Sequence, residues 1–238
     1  LFYLLIPLLY DKNWVQKNIE DQLLKDFKIY FSLSSDISYR ILPSPHYLVK
    51  DSQILKEDDK TISLAKIKTL KIFISQKNFF DKEKMSLKYI KINNADFILL
   101  INDLKLIKDN IKSKFSNKKI EITKSNIFLK NNSDEIISII KISKSFLLYN
   151  QENLLNLKGE VFNIPFDFNI SKKFDSLDIE VINVTAKTLK LDFFNIHNYE
   201  EKNVSKGKNV ISFLNSKINT NYKIENDIIK FESTDSKL

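Results

Sequence analysis

Beyond Lys60 the chain alternates apolar and polar residues with a period of two, the pattern of β-strands that bury one face. The run Phe162, Ile164, Phe166, Phe168 and Ile170 is unbroken against Asn163, Pro165, Asp167 and Asn169. Ile62, Leu64, Leu70, Ile72 and Ile74 share a parity, with Lys66 and Lys68 intruding. Similar one-sided runs occur at Leu177-Ile179-Val181, at Leu189-Leu191-Phe193, and at Ile136, Ile140, Ile142, Phe146 and Leu148. In two places the parity switches. Ile90 and Ile92 give way to Phe97, Leu99 and Ile101 across Asn93-Asn94, and Ile120 and Ile122 give way to Ile127 and Leu129. The first switch predicts a β-bulge that re-aims the strand. The strands read as long, about ten to eighteen residues against the usual five or six.

Two stretches have helical spacing instead. From Asp11 to Phe27, Trp14, Val15, Ile19, Leu23, Leu24 and Phe27 form a stripe opposite Lys12, Lys17, Glu20, Asp21 and Lys25, with Asp11 placed to cap the N-terminus. Residues 102–115 place Leu104, Ile107, Ile111 and Phe115 on one face and predict a helical insert. Between the first helix and the strand-rich body, Lys28–Leu33 and Ile37–Leu42 read as two strands joined at Ser34-Ser35-Asp36. The chain then turns at Pro43-Ser44-Pro45, where ring-locked residues remove ladder donors. Asn150–Asn153 and Asn195–Lys208 read as polar connections.

The pattern therefore predicts a mainly β protein with few helices. Its apolar faces have two ways to leave water. They close on each other as a β-sandwich, or they line an open, curved groove of long antiparallel strands, taco-like and capped by the amphipathic helix.

The first ten residues, Leu1, Phe2, Tyr3, Leu4, Leu5, Ile6, Pro7, Leu8, Leu9 and Tyr10, are continuously apolar. A spanning helix needs roughly 20 such residues, so this stretch is read as the end of a truncated transmembrane anchor, with Tyr10 as an interfacial aromatic. The end of a cleaved signal sequence and a buried N-terminal strand are the alternatives.

Composition narrows the chemistry. The 238 residues include 2 glycines and 4 prolines, too few for phosphate loops or nucleophile elbows that need glycine at set spacings. The absence of cysteine removes disulfides, thiolate metal sites and cysteine nucleophiles. The net charge of +8 is spread along nearly every segment, whereas a nucleic-acid footprint would mass on one element. A modest attraction to anionic headgroups is compatible with it.

His46 reads as a turn or cap residue and His197 as part of a polar loop. Glu57-Asp58-Asp59, Asp134-Glu135 and Glu200-Glu201 read as solvated charge in loops, with no spacing that sets two carboxylates on one apolar floor. No enzyme, no cofactor, no metal and no nucleic-acid partner is expected.

The order of segments resembles the start of the AsmA family of inner-membrane-anchored periplasmic proteins. The residues that carry the likeness are the apolar start, the helix at 11–27, Asp36 and Ile37, the Leu42-Pro43-Ser44-Pro45 turn, and the following His46–Ile54 with its Asp51-Ser-Gln-Ile54. The resemblance covers residues 1 to about 100 in detail and the rest by general pattern.

It implies an anchor end at 1–10, a capping helix at 11–27, and a β-rich periplasmic domain over 28–238 that is incomplete at its C-terminus. It also implies a non-enzymatic role in Gram-negative outer-membrane biogenesis: binding or conducting membrane phospholipid between inner and outer membranes, with other envelope proteins as further partners. The alternative is a periplasmic scaffold that influences outer-membrane protein targeting and insertion without carrying lipid. Relatives of the TamB and chorein-type bridge kind imply the groove over the sandwich. Its candidate lining is Ile62, Leu64, Leu70, Ile72, Ile74, Ile90, Ile92, Phe162, Ile164, Phe166, Phe168 and Ile170.

Overall fold

The structure, a computed structural model, describes residues 2–77, 79–103, 116–148, 155–173, 178–201, 204–226, 228–233 and 236. The chain divides into two compact units, Leu1–Phe146 and Leu147–Leu238. Both are mainly β, as the alternation predicts.

In the first unit, α1 (Phe2–Leu5) runs into a 3₁₀ turn at Ile6–Leu9, and α2 (Lys12–Phe27) follows. The Asp11 side chain accepts the N–H of Trp14 at 2.9 Å, satisfying one of the orphan donors of the first turn. At the other end Lys28 adopts the left-handed conformation and its N–H bonds Leu24 O. Between these caps Val15, Ile19, Leu23 and Phe27 recur every fourth residue, and all are at most 2% exposed.

The strands are β1 (Tyr30–Ser32), β2 (Ile37–Arg40), β3 (His46–Leu55), β4 (Ser63–Ile74), β5 (Leu87–Leu100), β6 (Ile120–Lys130) and β7 (Ile136–Leu147). They follow one hydrogen-bonded path, β1-β3-β4-β5-β6-β7, with β2 also on β3. The two short strands flanking Ser34–Asp36 are present, shorter than the runs 28–33 and 37–42, and both pair with β3 and not with each other. Ten-residue β3 is long enough to take both end to end, β2 against His46–Val49 and β1 against Gln53–Leu55.

A second departure is that β5 and β6 run parallel. A parallel neighbour needs a long return connection, and residues 101–119 supply it. Ile101–Asp103 of that connection form a 3₁₀ turn. The rest of the expected helix, 104–115, lies outside the described residues.

A transverse crease crosses four of these strands. Asp51 on β3, Asn94 on β5 and Lys124 on β6 all have positive φ, 51°, 58° and 50°. Asp51 sits between the pairs Lys50↔Thr69 and Ser52↔Ile67, which places it opposite Lys68. Lys68 in turn faces Asn94, and Asn94 faces Lys124. Left-handed backbone costs little at Asp or Asn and more at Lys, and here it flips which parity faces the core. On one side of the crease the facing rows are Tyr47, Ile72, Ile90 and Ile120, then Val49, Leu70, Ile92 and Ile122. Beyond it the core parity is Ser52, Ile67 and Ala95, whose N–H bonds Ser125 Oγ at 3.0 Å. The switch at Asn93-Asn94 is not the expected β-bulge, because Thr69↔Asn93 and Ile67↔Ala95 keep one register through it; it and the switch after Ile122 are two points on this line.

The second unit contains β8 (Leu155–Val161), β9 (Ile164–Lys173), β10 (Asp178–Ala186), β11 (Leu191–Glu201), β12 (Val204–Phe213), β13 (Ser216–Glu225) and β14 (Ile228–Ser233). It is an antiparallel meander in which each strand pairs with the next. In each unit the strands lie on one hydrogen-bonded path, so the two separate sheets of a sandwich are not the architecture.

Candidate functional site

The residues expected to line a groove fall into two different environments. In the first unit Leu70, Ile72 and Ile90 are fully buried, and Ile74 and Ile92 are 2% exposed. They form a closed core. Among the described residues α2 is the one long helix of this unit; its stripe is as sealed as this face, and it lies beside β1 and the start of β5.

Side-chain bonds fix the helix there. Gln22 donates to Met85 O at 2.7 Å and accepts from Leu87 N at 3.2 Å; Gln16 donates to Leu33 O, and Glu20 accepts from Leu33 N. Lys118 pairs with Asp26. Ile62 and Leu64 do not belong to this face. Ile62 precedes β4 and is 44% exposed, while Leu64 is half-buried, because the crease at Lys68 shifts the buried parity to Ala65 and Ile67.

In the second unit the register assembles an apolar face that stays open. Leu157, Phe168, Val184, Phe193, Ile211 and Ile218 stand in one row across six strands. None of the six is buried, and Ile218 is 40% exposed. Ile164 and Phe166 lie half-buried beside this row, and Ile170 is 8% exposed. Phe162 is not part of the strand. It and Asn163 form the two-residue turn between β8 and β9, both with positive φ, and its ring is 75% exposed. The turn geometry overrides the period-two pattern at that position.

One side of the open face is bounded by a polar band that the sequence reading missed. His197 is on β11, not in a loop, and the expected connection 195–208 is largely the β11–β12 hairpin. Asn195 Nδ2 donates to Asn209 Oδ1 at 2.8 Å and to the Tyr222 hydroxyl at 2.9 Å. His197 Nδ1 lies 2.8 Å from the same hydroxyl, and Asn209 Nδ2 donates to Thr220 Oγ1. Glu180 pairs in register with both Lys172 and His197, and all three are at most 8% exposed. Burial pushes the Tyr222 hydroxyl above its ordinary pKa, with the Asn195 bond acting the other way.

Gly207 makes this band possible. A Cβ at that position would lie 2.2 Å from the Tyr222 ring and hydroxyl, so the ring can cross β12 only over a glycine. The signal was present as one of 2 glycines in the chain, but alternating polar residues on an inner face look like a loop.

The Leu42–Pro45 turn lies at one end of the first unit, while Asp36 and Ile37 stand beside Lys50 and Val49, midway along β3. Asp36 pairs with Lys50 at 3.3 Å, and Ile37 is 5% exposed. The Leu42–Pro43 peptide is cis, Ser44 O accepts from His46 Nδ1 at 2.8 Å, and Pro45 O accepts from Ile74 N. His46 opens β3, is buried against Phe73, and is held below its usual pKa first by that burial. Residues 2–10 lie against the same end. Ile6 and Pro7 are buried there, Tyr39 donates to Leu4 O, and Tyr47 donates to Pro7 O. Burial raises Tyr39 to about 12.

Among the described residues no helix is long and apolar enough to cross a membrane, and no three His, Asp or Glu side chains are grouped to hold a metal. Neither a family model nor a curated protein matches the chain.

Proposed function

We propose that this chain is an AsmA-like envelope protein of a Gram-negative cell. It is held at the inner membrane by a single-pass anchor whose end is residues 1–10, with its β-rich domain in the periplasm. It acts without catalysis, by binding or conducting phospholipid between the inner and outer membranes. The observation that carries this reading is the open apolar row of the second unit, Leu157, Phe168, Val184, Phe193, Ile211 and Ile218. Acyl chains lying on that row leave water at a gain of about 0.8 kcal/mol per CH₂, while headgroups remain solvated at the edge.

The closed core of the first unit restricts the candidate lining to the second. The test is native mass spectrometry of the periplasmically expressed chain, purified without detergent, followed by lipid extraction. Stoichiometric phospholipid that is lost in a folded Phe166→Asp variant supports the reading. A lipid-free monomer with a cooperative melt overturns it and leaves the scaffold role.

A further inference from the structure

The end of the first unit that gathers the N-terminal segment, the turn before β3 and the loop between β4 and β5 carries a second apolar feature, separate from the open row. Three chain segments contribute to it. His46 pairs with Phe73, and Phe73 with Tyr89, so the Leu42–Pro45 turn and the loop 75–86 lie at the same end of the strands. The N-terminal segment is fastened to that loop: Tyr3 donates to Gln76 O and accepts from Phe79 N, both at 2.9 Å, and Tyr10 donates to Phe79 O. The Tyr3 ring lies 5.2 Å from both Phe79 and Phe80.

From this end project Leu9 at 81% exposure, Leu42 at 80%, Phe80 at 78%, Phe2 at 76% and Leu8 at 55%. No other large apolar side chain described in the first unit exceeds 52%. Single exposed leucines are ordinary, but five of the most exposed, drawn from three segments to one end, mark an interaction surface.

Its chemistry identifies the partner. Exposed Lys12, Arg40, Lys77 and Lys82 surround it, against Asp11 and Glu83, while Lys84 is paired with Asp81 at 2.8 Å. Two tyrosines turn their hydroxyls inward to backbone groups. Trp14 packs edge-on against Tyr10 at 5.6 Å, with Lys82 Nζ 5.3 Å above its ring. Leu and Phe tips, amphipathic aromatics at their base and a lysine collar are what a bilayer interface with anionic headgroups accommodates. We propose that this end of the first unit docks on an anionic bilayer surface, with Leu42 and Phe80 entering the headgroup layer beside residues 2–10. The surface belongs to the first unit and holds or fails independently of lipid binding on the second.

Trp14 is the single tryptophan of the chain and stands at the surface in question. The test is therefore Trp14 emission from the full 238-residue chain titrated with vesicles of phosphatidylcholine and phosphatidylglycerol, some carrying brominated acyl chains. The expected result is a blue shift with quenching, weaker on phosphatidylcholine alone. Leu42→Ser and Phe80→Ser should each weaken binding about tenfold without moving the melting temperature. Ile62→Ser, at the opposite end of β4, should leave binding unchanged. No quenching of the unaltered chain, or Leu42→Ser and Phe80→Ser chains that bind as well as it does, would overturn the docking surface. Equal binding to neutral vesicles would overturn its anionic preference.

Discussion

The two units use the same strand alternation to opposite ends. In the first, the greasy face and the stripe of an amphipathic helix are both sealed, and Phe27, Leu70, Ile72 and Ile90 are fully buried. In the second, among the described residues, only Ile170 and Ala186 of the apolar side chains are buried. The comparison teaches that a one-sided strand pattern specifies which face is apolar, while what covers that face is decided elsewhere in the chain. Here the first unit carries the sixteen-residue helix Lys12–Phe27, whose own stripe is sealed with that face.

The difference is open to direct challenge by mutation. Phe27→Ala should cost about 3–5 kcal/mol in chemical denaturation, because it empties a sealed space. Phe168→Ala, on the open row, should cost about 1 kcal/mol, because its ring is already part-solvated. Equal costs would erase the distinction between the units.

The polar band offers the next largest effect. Gly207→Ala should destabilise the chain by about 2 kcal/mol by expelling the Tyr222 ring and breaking its bonds to Asn195 and His197. In a Tyr222→Ala background the same change should cost almost nothing, since the clash is gone, and a double-mutant cycle measures this.

Acidification should act on the first unit. Burial holds His46 below its ordinary pKa, so the unfolded chain binds the proton more readily. Stability is then fully present above the unfolded pKa of about 6.5 and falls as the pH drops below it. Denaturation between pH 7.5 and 5.5 should show that slope, and His46→Phe should flatten it.

The smallest effect is expected at the helix tether. Lys118→Ala, which removes the partner of Asp26, should cost about 1 kcal/mol or less, with the loss shrinking in high salt.

Much of the fold was legible in the residues. The Val15-Ile19-Leu23-Phe27 stripe and the Asp11 cap located α2, and the parity switches at Asn94 and Lys124 located the crease. Two intruding lysines, Lys66 and Lys68, were the trace of the same crease on β4, but Lys68 has no turn chemistry of its own to announce it. The sealing of the first unit was not legible, because period-two patterning is identical whether a helix or water lies above the face. The polar band was missed for a related reason. Asn195, His197 and Asn209 bond across strands, and partners set by register are invisible until the register is known.

Photocrosslinking tests the central claim most directly: an open apolar row on one face of the second unit takes acyl chains. A photoreactive residue replaces Phe168, Phe193 or Ile218 on the open face, or Asn169 or Lys217 on the opposite face, in cells. Lipid adducts at the first three and none at the last two are the predicted result. Adducts at all five, or at none, would contradict it.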